Sequence, residues 1–218
     1  MKFQRFAFIS AFLATLLLLN ACTDDLQKSY YDNGKLRSEL RYEEGKLHGH
    51  CKWYYETGLL QMEAWYEHNM LNGKQVRYHE NGNVQSVAFY RENMFDSLYQ
   101  QFSINGKLLL NEYYLKDTLH GIYQKFYETG QVMVEGTYEK GMMHGRWLFF
   151  DNGGKIVGTA DFEYGTGIQK GYHANGKLSR VIHYKDNLKH GPEEFYNHEG
   201  VLEKVRVFSF GDLIPESE

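Results

Sequence analysis

Ten histidines are the residues of this chain best suited to hold a metal ion. Four of them stand directly before a glycine: His48, His120, His144 and His190. The equivalent places elsewhere hold other residues that favour turns: Asn72, Asp96 and Thr166. A zinc site needs three or four ligands around one point, whereas successive histidines of this set are far apart along the chain and the replacements do not form one coordination set. We therefore expect no metal ligands and no cofactor.

Groups that could catalyse a reaction do not form a recognisable constellation either. Recurring carboxylates such as Glu56, Glu80 and Glu128 stand beside glycine turns, where we expect them to be solvated. No triad-like companions can be singled out around Cys51, and we expect it to be a packing residue. The sequence has no HExxH motif, phosphate-binding glycine loop or nucleophile elbow. We expect no catalytic residues and no enzymatic activity.

The N-terminal segment differs from the rest of the chain. Lys2 and Arg5 precede an apolar run over residues 6–19, which is typical of a secretory signal peptide and too short for a convincing membrane span. The letters LNAC at 19–22 follow it and resemble the lipobox of bacterial lipoproteins. That resemblance implies that Cys22 receives lipid on its sulfur and becomes the new N-terminus after cleavage.

These features predict where the protein is found. We expect residues 1–21 to be a lipoprotein signal peptide, residues 22–28 to be a lipidated tether, and the protein to be anchored to a membrane of the bacterial cell envelope. The acidic letters TDD at 23–25 resemble a tether that sends some lipoproteins to the cell surface, so the periplasmic side and the surface both stay open. The alternatives are a conventional signal peptide with an incidental cysteine, or a short anchor helix.

Composition and charge restrict the class of protein and its partners. Aromatic residues make up 16% of the 218 residues, with 22 glycines and only two prolines, a balance that favours strands and tight turns over helices. The formal net charge is −4, and loss of the N-terminal segment with Lys2 and Arg5 makes it more negative. We therefore expect no nucleic-acid partner. With Cys22 lipidated, Cys51 is the one remaining thiol, which excludes an internal disulfide.

An internal repeat must position all of these side chains. Turn glycines recur at steps of 24, 24, 24, 24, 24, 22 and 24 residues: Gly34, Gly58, Gly82, Gly106, Gly130, Gly154, Gly176 and Gly200. Two residues after each glycine the side chain is aliphatic, and eight residues after it the side chain is aromatic, as in Leu60 and Tyr66. Because side chains alternate between the faces of a strand, an even separation places both on one face. The opposite face is mostly polar.

The repeat predicts an all-β fold. We expect about eight tandem β-hairpins that form an elongated antiparallel meander of about sixteen strands, as one twisted sheet over residues 29–211, followed by a C-terminal tail over residues 212–218. A second aromatic row four residues before each turn glycine, which includes Tyr54, is expected to add to the aromatic face. The step of 22 residues shortens one turn near residues 164–167 by two, which keeps the faces of the strands and should leave the sheet unbroken.

The repeat unit resembles the MORN-repeat variant proteins, and in particular the bacterial YwqK-type antitoxin group. The signature is an aromatic residue, a turn glycine, an aliphatic residue, a glutamate, an aromatic residue and a closing glycine, as in Tyr54, Gly58, Leu60, Glu63, Tyr66 and Gly73. It covers nearly the whole chain after the N-terminal segment. The resemblance implies a non-enzymatic protein-binding module, and the antitoxin label implies that a toxin-like protein could be the partner.

Aromatic residues also interrupt the polar face at equivalent positions of three consecutive repeats, Trp65, Phe89 and Tyr113. Aromatic side chains are common anchors of protein interfaces, so we predict that these three form the centre of a protein-binding patch. The alternative is that the three rings stack on each other across neighbouring hairpins. Two other functions stay open: binding of envelope carbohydrate or lipid headgroups by the aromatic ladder, and a structural spacer.

Overall fold

The structure, a computed structural model, describes residues 25–215. Every regular element in this range is a β-strand: β1 (Asp25–Tyr30), β2 (Leu36–Glu43), β3 (Lys46–Leu47), β4 (Gly49–Tyr54), β5 (Leu60–Glu67), β6 (Met70–Tyr78), β7 (Val84–Arg91), β8 (Met94–Phe102), β9 (Leu108–Leu115), β10 (Thr118–Leu119), β11 (Gly121–Phe126), β12 (Val132–Glu139), β13 (Met142–Phe150), β14 (Ile156–Glu163), β15 (Thr166–Tyr172), β16 (Leu178–Lys185), β17 (Leu188–Tyr196), β18 (Leu202–Ser209) and β19 (Asp212–Ile214). They form one antiparallel sheet, in which consecutive strands pair, except that β2 pairs with both β3 and β4 and β9 pairs with both β10 and β11. The predicted all-β meander of tandem hairpins is confirmed.

The sheet has nineteen strands where the sequence predicts about sixteen. Two strands are each divided in two, because His48 separates β3 from β4 and His120 separates β10 from β11. The glycines that follow these histidines have φ angles of 79° and 108°, a backbone conformation that glycine adopts without steric cost. The short strand β19 pairs with β18 and adds one more strand at the end.

The sheet also extends past both ends of the predicted repeat range 29–211. Residues 25–28 of the predicted tether belong to β1 and pair with β2, and residues 212–214 of the predicted tail form β19. The signal peptide and Cys22 lie outside the described residues. Among residues 25–215, there is no helix with the length and apolarity needed to cross a membrane.

The shortened unit passes through the sheet without a break, as predicted. β13, β14, β15 and β16 pair in order. The β14–β15 pair keeps a regular register, whereas the corresponding β12–β13 pair contains a register shift. The turn itself is not shortened, because two residues separate β14 from β15 just as two separate β12 from β13, and that part of the prediction is wrong. The two missing residues instead remove a β-bulge, and the side chains keep their faces.

The core is a row of side chains along the middle of one face. Successive strands contribute alternating members of this row, which are direct cross-strand partners: Cys51 with Ala64, Gln75 with Ala88, Tyr123 with Gly136, Trp147 with Ala160, and Ile182 with Glu193. Cys51, Ala64 and Ala160 are at most 1% exposed. Small residues alternate with large ones, so a large ring can cover a small neighbour and fill the row without a second layer of structure.

Hydrogen bonds join consecutive repeats along both edges of the sheet. On one edge, side chains that start each turn bind the carbonyl oxygen of a residue in the next repeat: Tyr55 to Tyr78 at 2.7 Å, Tyr127 to Phe150 at 2.8 Å, and His173 to Tyr196 at 2.8 Å. On the other edge, the amide of Asn69 donates to the carbonyl of Leu47 at 2.9 Å, and the amide of Asn93 donates to that of Leu71 at 2.9 Å. Each hairpin is therefore fixed to its neighbours at both ends.

Candidate binding face

The face opposite the core row carries the candidate site, and its composition differs from the prediction. Tyr54 follows Trp53, which pairs with Met62 of the core face. Alternation therefore places Tyr54 on the second face, where its hydroxyl donates to Oε2 of Glu39 at 2.7 Å. The hydroxyl of Tyr78 binds Glu63 in the same way at 2.7 Å. The second aromatic row therefore lies on the polar face. The prediction that this row adds to the core face is wrong, because a register shift at each strand end exchanges the two faces.

Trp65, Phe89 and Tyr113 lie on this second face, on β5, β7 and β9. Trp65 and Phe89 are half-buried, while Tyr113 is 36% exposed. Equivalent positions in consecutive repeats are two strands apart, so neighbouring members are separated by roughly 9.6 Å. The structure therefore arranges the three rings in one line across the sheet, as the sequence predicts.

Trp65 and Tyr113 each pack against a neighbour that is not a member of this set of three. The ring of Trp65 stacks on that of His50 at 4.1 Å and 10°. A Cβ placed on Gly73 would lie 3.2 Å from the Cβ of Trp65, and one on Gly121 would lie 3.3 Å from that of Tyr113. These two glycines leave room for the aromatic side chains beside them.

The line of rings continues through aliphatic residues that the sequence pattern did not reveal. Within residues 25–215, no ring contact joins Trp65, Phe89 and Tyr113 to each other, so a mutual stack does not explain them. Leu98 is the direct cross-strand partner of Tyr113, and Ile122 of the next strand is 55% exposed. We call Trp65, Phe89, Leu98, Tyr113 and Ile122 the apolar line. A signal that could have identified them is their position directly after Ser97 and Gly121, which correspond to Gly49 and Gly73 in the first two repeats.

The aromatic residues on the core face pack against each other. Tyr138 makes edge-to-face contacts with Tyr123 at 5.6 Å and with Trp147 at 5.1 Å, and Trp147 in turn contacts Phe162 at 6.2 Å. Burial raises the pKa of Tyr138 to about 12. Rings that pack against each other in this way have less surface left to stack on a sugar or a headgroup.

The groups considered for catalysis remain isolated from each other. Cys51 is fully buried, and burial raises the pKa of its thiol, which disfavours the reactive thiolate. Glu56, Glu80 and Glu128 are in or beside turns. Within the described residues, Cys51 has no hydrogen bond to a histidine, and its sulfur lies 3.9 Å from the carbonyl oxygen of Arg41.

Two clusters of charged or ligand-type residues were not anticipated. Glu193 is 1% exposed and binds Lys189 and Arg180. Burial alone would raise its pKa, but hydrogen bonds from the two cations outweigh burial and hold the pKa below its ordinary value. At one edge of the sheet, Glu43, His48 and His68 place ligand-type atoms within 4.8 Å of one another. His68 does not precede a glycine. It is therefore not one of the four histidines that recur before a glycine, and the sequence pattern gave no sign of this cluster.

The fold and the two differing faces define an all-β protein of tandem hairpin repeats that presents a mixed aromatic and polar surface. Five segments match the family model described as MORN repeat variant: residues 26–44, 47–68, 71–92, 119–140 and 166–186. The chain therefore carries MORN-variant repeats. No curated protein matches the chain.

Proposed function

We propose that this chain is a non-enzymatic binding module that recognises a protein partner through the apolar line. The observation that carries the proposal is that Tyr113 and Ile122 remain 36% and 55% exposed in the middle of the sheet, while the rings of the core face are packed against each other. Apolar side chains that lie together on a surface often mark a binding site. Repeats of the MORN type often serve as protein- or lipid-binding modules.

The chemistry around the apolar line fits a protein partner. Aromatic and aliphatic anchors of a protein interface are commonly surrounded by polar groups that pair at the rim. Lys74 is the cross-strand partner of Phe89, and the hydroxyl-bonded carboxylates Glu39 and Glu63 lie on the same face. A partner with a complementary apolar ridge and mixed charges would match this surface.

The proposed setting is the bacterial cell envelope. A lipid on Cys22 would place the anchor three residues before β1, so the first repeat would lie next to the membrane and later repeats would extend away from it. A finer form of the proposal is an antitoxin- or immunity-like module, in which the sheet covers a toxin-like protein. The resemblance of the repeat unit supports this form, and a toxin-like gene beside the gene of this chain would support it further.

The binding proposal is tested by photo-crosslinking in intact cells. A photoreactive amino acid at Tyr113 should give crosslinked protein partners. The same group at Asp161, the equivalent position two repeats later on the same face and also exposed, serves as the matched control. The triple variant Trp65→Ala, Phe89→Ala, Tyr113→Ala should lose these partners while its circular dichroism stays unchanged. An identical crosslinking pattern at the two positions, or a folded triple variant with an unchanged partner list, would remove the apolar line as the binding site.

A further inference from the structure

Three metal-ligand side chains meet at the edge of the first hairpins. Glu43 ends β2, His48 separates β3 from β4, and His68 lies in the turn between β5 and β6. Oε2 of Glu43 lies 3.2 Å from Nδ1 of His48 and 3.9 Å from Nε2 of His68. The two imidazole rings contact edge to face, with their centroids 5.2 Å apart. Three ligand atoms from three separate places in the chain therefore surround one point.

The backbone holds these turns together independently of the three side chains. The amide of Asn69 donates to the carbonyl of Leu47 at 2.9 Å, and the amide of Leu47 donates to the side-chain oxygen of Asn69 at 2.7 Å. This reciprocal pair joins the residue before His48 to the residue after His68. The site is thus formed by the stacking of consecutive hairpins, which reduces the entropy lost when a ligand binds.

The distances suit a small divalent cation. Zinc binds imidazole nitrogen and carboxylate oxygen at about 2.0–2.2 Å, so tetrahedral ligands lie roughly 3.3 Å from each other. The observed separations of 3.2 and 3.9 Å from the carboxylate to the two rings are close to this value, and the two ring nitrogens lie within 4.8 Å of each other. Two histidines and one glutamate also form a ligand set that zinc uses when its fourth position is open.

One ring nitrogen of the cluster lacks its usual partner. Nδ1 of His48 is inaccessible to solvent and makes no hydrogen bond, although the carboxylate of Glu43 is nearby. At the other histidines that precede a turn glycine, the same atom lies near a backbone amide: Lys140 for His120 at 3.4 Å, Tyr164 for His144 at 3.5 Å, and Phe210 for His190 at 3.4 Å. His48 departs from this pattern in the one described repeat where a second histidine and a glutamate surround it.

Equivalent positions in later repeats hold residues that pack against each other and do not form a set of three metal ligands. The fifth repeat has Glu139, His144 and Tyr164, where the rings of His144 and Tyr164 pack at 4.7 Å and the tyrosine hydroxyl lies 3.3 Å from Glu139. The seventh repeat has a phenylalanine, Phe210, in the third place. In those repeats, contacts between the side chains fill the space that a metal ion would occupy. Among the described repeats, only the first has a histidine or an acidic residue at all three of these positions with their ligand atoms close together.

We propose that Glu43, His48 and His68 bind one Zn²⁺ ion, with the carboxylate and the two imidazoles as ligands and a fourth position open to solvent. Each side chain is between 28% and 46% exposed, so the site lies at the surface of the sheet. The ion joins the end of β2, the junction of β3 and β4, and the turn between β5 and β6, and it stabilises the N-terminal end of the sheet. This site is independent of partner binding through the apolar line.

The test measures binding of Zn²⁺ by isothermal titration calorimetry to the purified full chain, with an affinity tag that contains no histidine. His68→Tyr converts the site into the arrangement of the fifth repeat and preserves an aromatic ring beside His48. Glu43→Gln removes the carboxylate charge with almost no change of shape. The matched control is His198→Tyr, because His198 forms the other close histidine pair of the described residues, with its ring 4.1 Å from that of His173.

We expect one Zn²⁺ per wild-type chain, an affinity lowered at least about 10-fold in His68→Tyr and Glu43→Gln, and no change in His198→Tyr. Zinc should also raise the melting temperature of the wild type and of the control but not of the two site variants, because a ligand that binds only the folded state stabilises it. Absence of zinc binding by the wild type, or wild-type affinity in either site variant, would overturn the proposal.

Discussion

The contact between Gly136 and Trp147 gives the most direct test of how the core row is packed. The indole of Trp147 lies over Gly136, so a Cβ added there would be 2.1 Å from Cδ2 of the ring. Trp147 is 3% exposed and is held on its other sides by Tyr123, Tyr138 and Phe162. The ring therefore cannot move aside without disturbing the neighbouring rings.

These distances set the expected cost of Gly136→Ala. Overpacking a filled core typically costs ~1–3 kcal/mol, while replacement of glycine by alanine at a permitted backbone conformation contributes ~0.4–1 kcal/mol of stability. Because the clash is with a ring fixed on several sides, we expect a net loss of about 2 kcal/mol, or roughly 4–8 °C in the melting temperature of a chain of this size. The assay is thermal unfolding followed by near-ultraviolet circular dichroism.

A double-mutant cycle separates this clash from any effect of the backbone. Trp147→Ala alone should cost ~3–5 kcal/mol, and simple addition would give ~5–7 kcal/mol for the pair. With the indole removed, the methyl group added by Gly136→Ala has room, so we expect the double variant to lose only ~2.5–4.5 kcal/mol. The control is Gly171→Ala, where the nearest atom is a serine oxygen at 3.2 Å. Additive losses, or a neutral Gly136→Ala in the wild type, would refute the packing argument.

Other parts of the chain give three more predictions. Cys22→Ser should move the protein from the membrane fraction to the soluble fraction or leave it unprocessed, and unchanged lipid labelling of that variant would disprove the anchor. Tyr138→Ala should lower the melting temperature by the equivalent of about 3 kcal/mol, much more than Glu135→Ala on the opposite face; equal shifts would show that the faces are assigned incorrectly. Burial raises the pKa of Tyr54, Tyr78 and Tyr138 to about 12, while an unfolded tyrosine ionises near pH ~10. The folded state therefore retains protons that the unfolded state loses, and the contribution of these tyrosines to stability should be constant below about pH 10 and fall as the pH rises from about 10 to about 12; a melting temperature unchanged across that interval would contradict it.

The candidate site was predictable in part. The spacing of Trp65, Phe89 and Tyr113 placed them in one line on the second face, because a repeat of even length keeps each position on the same face. Leu98 and Ile122 were not predicted, since they belong to the intervening strands, and their approach depends on which residues pair across the sheet. The cluster of Glu43, His48 and His68 was not predicted for a similar reason. Glu43 and His68 are 25 residues apart in sequence, and only the stacking of turns brings them together.

The sequence by itself determined the architecture of this protein. Turn glycines at a nearly constant step, with aliphatic and aromatic residues at even separations between them, specify hairpins whose apolar faces agree from one repeat to the next, so a single sheet is the arrangement that buries them together. The tertiary structure decided how each position is used. Register shifts transferred Tyr54 and its equivalents to the polar face, the alternation of large and small partners let Trp147 cover Gly136, and the stacking of turns gathered Glu43, His48 and His68. Each of these depends on cross-strand neighbours that are distant in sequence, and one local repeat pattern is compatible with several such pairings until the register is fixed.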